Sequence, residues 1–151
     1  MERNEVGMPR AELIARLGAI AGSAQVEERG DGLWISTPQL DVEAMAREMK
    51  ALGWRLVTMT GLAGDQGEAT IIYHYARHGE TINFKTATRG GAIRSLAPTV
   101  RAASWSEREI HDFFAIDFVG HPNLVPLLRP PELKEGFFRD AEPGSTTPDK
   151  P

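Results

Sequence analysis

A two-layer α+β domain is the fold class that the sequence predicts: two helices on one face of a roughly five-stranded mixed sheet, then a short helix and an extended C-terminal arm. Three observations carry this expectation. Two early segments repeat apolar residues at helical spacing, and the stretches between and after them are rich in β-branched and large apolar residues, in the order α-β-β-α-β-β-β. Turn-forming residues, mostly glycines, separate these segments. The chain has 151 residues, 41% hydrophobic and 25% charged, which suits one domain with a core of its own.

Pro9 suits a first helical turn, and Leu13, Ile14, Leu17, Ile20 and Ala21 then recur at helical spacing, so a helix is expected over about 9–21, stopped at Gly22-Ser23. Ala24 and Val26, then Leu33 and Ile35, flank Gly30-Asp31-Gly32 and predict a hairpin. Asp41 is placed to cap a second helix whose apolar stripe is Val42, Met45, Ala46, Met49 and Leu52, with Gly53 just past its end. Trp54 to Thr60 reads as a strand and Gly61 to Gly67 as a flexible loop. That loop contains three glycines, yet no Lys-Ser/Thr comes after it as a phosphate-binding loop requires. Glu68 to Ala76 and Thr81 to Thr88 read as two strands joined by a turn at His78-Gly79-Glu80. That turn separates His78 from His74, which would otherwise share a strand face and which is expected as a surface or half-buried histidine.

The character changes after Arg89-Gly90-Gly91. Ser104, with Glu107 three residues on, has the pattern of a capping box and opens a helix running to about Phe114. Gly120-His121-Pro122 then interrupts the chain, and Pro126, Pro130 and Pro131 keep the next stretch irregular. The expected organisation is an α+β domain over 1–118, an arm over 119–140 and a disordered tail over 141–151. The arm is apolar at Leu124, Val125, Leu127, Leu128, Leu133, Phe137 and Phe138, a composition that predicts contact with a partner.

Composition narrows the function. A net charge of -4 without any run of Lys or Arg argues against binding nucleic acid. The sequence has no Cys, which removes disulfides and the usual ligands of iron–sulfur clusters and structural zinc, so no cofactor is expected. Met1 to Arg10 lacks the apolar stretch of a signal peptide, and no window approaches the roughly 18 apolar residues of a membrane span. The expectation is a soluble chain on the cytoplasmic side, meeting a membrane only through partners.

Trp105-Ser106-Glu107-Arg108-Glu109-Ile110-His111-Asp112-Phe113-Phe114 is the densest stretch of charge and aromatic surface in the chain. On a helix Arg108 and Asp112 are one turn apart and predict an ion pair, and Glu109 suits a cation on a neighbouring turn. Glu107, Arg108, Glu109 and Asp112 read either as an acid/base cluster or, more simply, as a salt-bridged helix fixing a contact. Glu107 and His111 with His121 are the candidate ligands of a small metal-dependent enzyme, though three residues fall short of a complete site. His121 is expected to lock its turn by a hydrogen bond to a backbone carbonyl, with proton relay as the alternative.

Glu107-Arg108-Glu109-x-x-Asp112-Phe113-Phe114, with His121 after six more residues, resembles the signature of the 30 kDa subunit family of respiratory complex I, the C subunit of NADH–quinone oxidoreductase. Ser95-Leu96-Ala97-Pro98, Ala103-x-Trp105, Gly120-His121-Pro122-Asn123-Leu124 and Tyr73-His74-Tyr75 extend the likeness over about residues 71–128. Ala115 stands where the family typically has glycine, and Val125-Pro126 where it usually has a basic pair. Ile110-His111-Asp112 and Asn123-Leu124-x-Pro126-Leu127-Leu128 are closer to the related subunits of membrane-bound [NiFe] hydrogenases and formate hydrogenlyases.

The resemblance implies an α+β fold and a non-catalytic scaffold in the peripheral arm of a complex I-like oxidoreductase, with an energy-converting [NiFe] hydrogenase as the alternative. It implies docking onto a large subunit, 49 kDa-type with the quinone site or [NiFe]-type, beside a neighbouring iron–sulfur subunit. The residues carried over for docking are Trp105, Glu107, Arg108, Glu109, Asp112, Phe113, Phe114, Gly120, His121, Pro122 and Leu124. On this reading alanine at Glu107, Arg108 or Asp112 impairs assembly and leaves the isolated fold largely unchanged.

Overall fold

The computed structural model describes residues 8–22 and 24–139, so the expectation for the 141–151 tail falls outside the described residues. The element order is α1 (Arg10–Ala21), β1 (Gln25–Arg29), β2 (Gly32–Ser36), α2 (Val42–Ala51), β3 (Arg55–Ala63), β4 (Ala69–Arg77), β5 (Glu80–Ala87), β6 (Ala92–Arg94), α3 (Ala103–Phe114) and β7 (Asp117–Val119). Five strands form one sheet in the order β1-β2-β5-β4-β3. All its pairings are antiparallel except β2 with β5, which is parallel because the chain crosses over through α2, β3 and β4 between them. The predicted class and the predicted order of the first seven elements are those of the structure.

Local chemistry explains most boundaries. The Asp41 carboxylate accepts the Ala44 N–H at 2.9 Å and starts α2. At its other end Gly53 takes φ 75°, and the Trp54 N–H reaches the Met49 carbonyl at 2.8 Å, a Schellman closure. The β1–β2 hairpin needs glycine at position 32: φ is 124°, and a Cβ there would lie 2.6 Å from the Thr81 carbonyl oxygen.

All three helices lie on one face of the sheet. Leu13 and Leu17 of α1, Met45 and Met49 of α2, and Ile110 and Phe114 of α3 join a single core with Leu33, Ile35, Met59, Ile71, Tyr73, Ile82 and Phe84. The pleat sends Trp34, His74 and Asn83 to the opposite face. There His74 bridges strands, with Nδ1 2.7 Å from Asn83 Oδ1 and Nε2 2.9 Å from Thr60 Oγ1. His78 lies in the β4–β5 turn at φ 47°, off that face.

Two expectations change. Gly61 lies within β3, which runs on to Ala63, so the loop is only Gly64 to Glu68. The glycine marks close packing rather than a break: a Cβ at 61 would lie 3.0 Å from both Cγ1 and Cγ2 of Ile110. Residues 92–94 and 117–119 also form a two-stranded parallel sheet that the sequence pattern does not announce. Each strand has only three residues, too few to show a periodicity.

Candidate functional site

The signature segment is α3, and the structure sorts its side chains between an inner and an outer face. Ser104 does not cap this helix. The N-cap position is Ala102, which makes no side-chain cap, and Glu107 does not fold back on its own first turn. Instead Glu107, 0% exposed, points into the domain. Its carboxylate accepts the Ser95 hydroxyl at 2.6 Å and the Leu96 N–H at 2.5 Å. Since Ser95 comes directly after β6, Glu107 staples the helix to the small sheet. Burial pushes its pKa above the ordinary carboxylate value, while the Ser95 hydroxyl and the Leu96 and Ala97 amides pull it back.

His121 approaches the same carboxylate, with Nε2 3.8 Å from Glu107 Oε2. Its Nδ1 accepts the Asn123 N–H at 2.9 Å, so the ring proton sits on Nε2. That nitrogen faces Ser104 Oγ at 3.1 Å and the Ser104 carbonyl at 3.3 Å. Burial lowers the His121 pKa, the Ser104 carbonyl opposes this, and the charges of Arg108 and His111 add to the lowering. The Tyr73 hydroxyl is buried without a hydrogen-bond partner among the described residues, and burial together with the Glu107 charge holds its pKa well above the phenolic value.

Arg108 and Asp112 do not pair with each other. Both turn to the C-terminal arm and read its backbone. Arg108 donates to the Val125 carbonyl at 2.9 Å and the Pro126 carbonyl at 2.8 Å. Asp112, 2% exposed, accepts the Leu127 N–H at 2.9 Å and Arg129 Nε at 3.3 Å. Farther along, the Gly136 N–H donates to the Asp112 carbonyl at 2.7 Å and the Phe138 N–H to the Phe113 carbonyl at 2.9 Å. The arm therefore lies along α3. Phe114 enters the core, whereas Phe113 meets Phe137 and Phe138 at ring-centroid distances of 5.3 and 4.9 Å. Ala115 closes the helix at φ 54°, a left-handed position that favours glycine.

Glu109 and Trp105 occupy the outer face. Trp105 is 70% exposed, and Leu128 on the arm is 87% exposed. Glu109 is exposed and forms no ion pair with a described residue, and its neighbours one turn away, Trp105, Ser106, Asp112 and Phe113, include no cation. Of the remaining signature residues, Gly120 has φ 86°, Pro122 is exposed and Leu124 is half-buried against the core.

This arrangement disperses the acid/base cluster: Glu107 is inside, Glu109 outside, and Arg108 and Asp112 are engaged with the arm. Nor do Glu107, His111 and His121 converge on one point. His111 instead sets Nδ1 2.8 Å from the Ile116 carbonyl and Nε2 2.9 Å from Glu135. Among the described residues no group of three or more His, Cys, Asp or Glu side chains is placed to hold a metal ion. The burial of Glu107 and Asp112 also revises the expectation for alanine there, which must disturb the isolated fold as well as any docking. Arg129 and Ser95 belong to the site; sequence reasoning places Arg129 in the arm and Ser95 in the family likeness but names a partner for neither, because those partners lie 17 and 12 residues away and no spacing rule links them.

The model of the family described as respiratory-chain NADH dehydrogenase, 30 Kd subunit, matches residues 35–147. A C/D subunit of the NADH-quinone oxidoreductase of Pseudomonas fluorescens is 29% identical over 155 residues, covering 90% of this chain and 26% of the relative. The corresponding C subunit of Chlorobium phaeobacteroides is 38% identical over 60 residues, 40% of this chain and 36% of that protein. The chain thus spans well under half the length of these curated relatives. Among solved structures, a trypsin-resistant fragment of Nqo5 superposes with TM-score 0.58 at 24% identity, over 77% of this chain and all of the fragment. A chain of an archaeal respiratory membrane complex, the membrane-bound sulfane sulfur reductase, superposes with TM-score 0.69 at 21% identity, over 86% of this chain and 82% of its own. Both share the fold of this domain. With its α+β fold, its signature helix and a family match over most of its length, the chain belongs to the respiratory-chain NADH dehydrogenase 30 Kd subunit family.

Proposed function

We propose that the chain is a non-catalytic peripheral subunit of a complex I-like, membrane-associated oxidoreductase, and that α3 with the returning arm is its docking face. The observation that carries this is the division of the signature helix. Its inner polar residues are consumed in holding the domain and the arm together, and Trp105 and Leu128 are left in solvent. A large aromatic and a large aliphatic side chain held in the open by a fixed scaffold have the character of interface anchors.

The partner on this reading is the large subunit, 49 kDa-type or [NiFe]-type, next to an iron–sulfur subunit. Relatives bearing the double name C/D support it, since a chain named for both subunits unites this domain with a second one. The chain sits on the cytoplasmic side as a peripheral component; among the described residues no helix is long and apolar enough to cross a membrane. The hydrogenase alternative rests on the Ile110-His111-Asp112 and Asn123 to Leu128 likenesses.

The test is a pull-down of the tagged full chain from mild-detergent extracts of its native membranes, with the partners identified by mass spectrometry. A quinone-site large subunit recovered with NADH-oxidising subunits is the expected result, and a nickel–iron large subunit selects the alternative. Recovery of no redox subunit refutes the scaffold role.

A further inference from the structure

Between α3 and the arm lies a small cleft lined by Glu109, Asp112, Phe113, Leu128, Pro130 and Phe137 among others, with a volume of about 80 Å³. A water needs only about 10–15 Å³ of such space, and a cavity near 150 Å³ holds a benzene. The cleft is therefore sized for a few carbon atoms and too small for an indole. Phe113 and Phe137 make its walls apolar, and Asp112 is already satisfied by Leu127 and Arg129. Arg129 also lines the cleft, but its guanidinium is engaged by Asp112 and the Leu133 carbonyl, so an aliphatic group suits the remaining space best.

The rim adds a charge. Glu109 lines the cleft, is exposed and forms no ion pair with a described residue; the cation that also lines the cleft, Arg129, is paired with Asp112 at 3.3 Å, so the lining keeps one net negative charge. Trp105 stands one turn before it on the same face, and Leu128 forms the outer lip. An apolar socket whose lining keeps one net negative charge at its edge is complementary to an apolar side chain with a cation beside it.

We propose that this cleft is the socket by which the chain recognises the large subunit: it receives one aliphatic side chain of that partner, Val, Leu, Ile or Met, flanked by a Lys or Arg that meets Glu109. This rests on the docking role proposed for α3 and the arm, and it specifies which surface does the docking and what it selects. The opposite, helix-free face of the sheet carries a cleft lined by Ser36, Thr70 and Lys85, whose charge is positive and does not suit the same cation.

The test uses the full chain and the large subunit recovered in the pull-down, with affinity measured by titration calorimetry at several salt concentrations. Glu109→Lys and Leu128→Asp change exposed side chains, and retention of the wild-type melting temperature checks that each still folds. Each is expected to weaken binding by about tenfold or more, and Glu109→Gln is expected to remove much of the salt dependence. Val57→Asp, exposed on β3 away from the cleft, is expected to leave affinity unchanged. If the wild-type chain binds the large subunit and the Glu109 and Leu128 variants bind equally well, the socket is wrong while the docking role stands. The same holds if Val57→Asp is the damaging change. If the wild-type chain binds no large subunit, both fall together.

Discussion

Replacing Glu107 separates two roles that a buried carboxylate can play. Glu107→Ala removes the acceptor of the Ser95 hydroxyl and of the Leu96 N–H. The Ala97 N–H keeps Ser95 Oγ at 3.2 Å, so the groups left unpaired are one amide and one hydroxyl. A stranded buried donor costs about 1–3 kcal/mol, and the hydroxyl rotates more easily than the amide. Release from burying a carboxylate offsets part of this. The expected net destabilisation is about 2–4 kcal/mol. Glu107→Gln keeps an oxygen for Leu96 and presents an NH2 to Ser95 Oγ, which leaves only the Ser95 hydroxyl proton to find another acceptor, so its cost should be smaller than that of Ala, about 1–2 kcal/mol.

Urea unfolding of the isolated full chain measures both variants. A Glu107→Ala protein as stable as wild type, or a Gln variant as costly as Ala, refutes the staple. The pH dependence adds a second check. Burial raises the carboxyl's pKa in the folded chain above 4.5, so between the unfolded and folded values the folded chain binds more protons. Its contribution is complete at pH below the unfolded value and declines as pH rises through the folded value. Glu107→Gln should flatten that decline, and a wild-type-minus-Gln difference independent of pH would contradict it.

The packing gives two further outcomes. Gly61→Val places branched carbons where even a Cβ lies 3.0 Å from Ile110, so it should lower stability by about 1–3 kcal/mol, read as a lower melting temperature. Arg108→Ala releases the Val125 and Pro126 carbonyls on the surface; global stability should change by no more than about 1 kcal/mol, while hydrogen exchange at the Leu127 amide accelerates as the arm loosens.

The sheet-and-helix body is legible in the sequence because its signals are local. The α2 stripe, the Asp41 cap and the Gly53 stop act within about one helical turn, and the hairpin around Gly30 to Gly32 is set by its own turn. The family signature is also readable as a string, since a pattern of residue types needs no coordinates. What the string does not reveal is the direction in which each signature side chain points. Ser104 and Glu107 have capping-box spacing, yet Ser95 and Leu96, 12 and 11 residues upstream, claim the carboxylate. Arg108 and Asp112 have ion-pair spacing, yet arm backbone 15–18 residues away claims both. Gly61 looks like a break until Ile110 of α3 lies against it. In each case the residues themselves specify the local geometry, but a buried charge takes whichever donors the folded chain brings within reach, and only tertiary packing decides which donors those are.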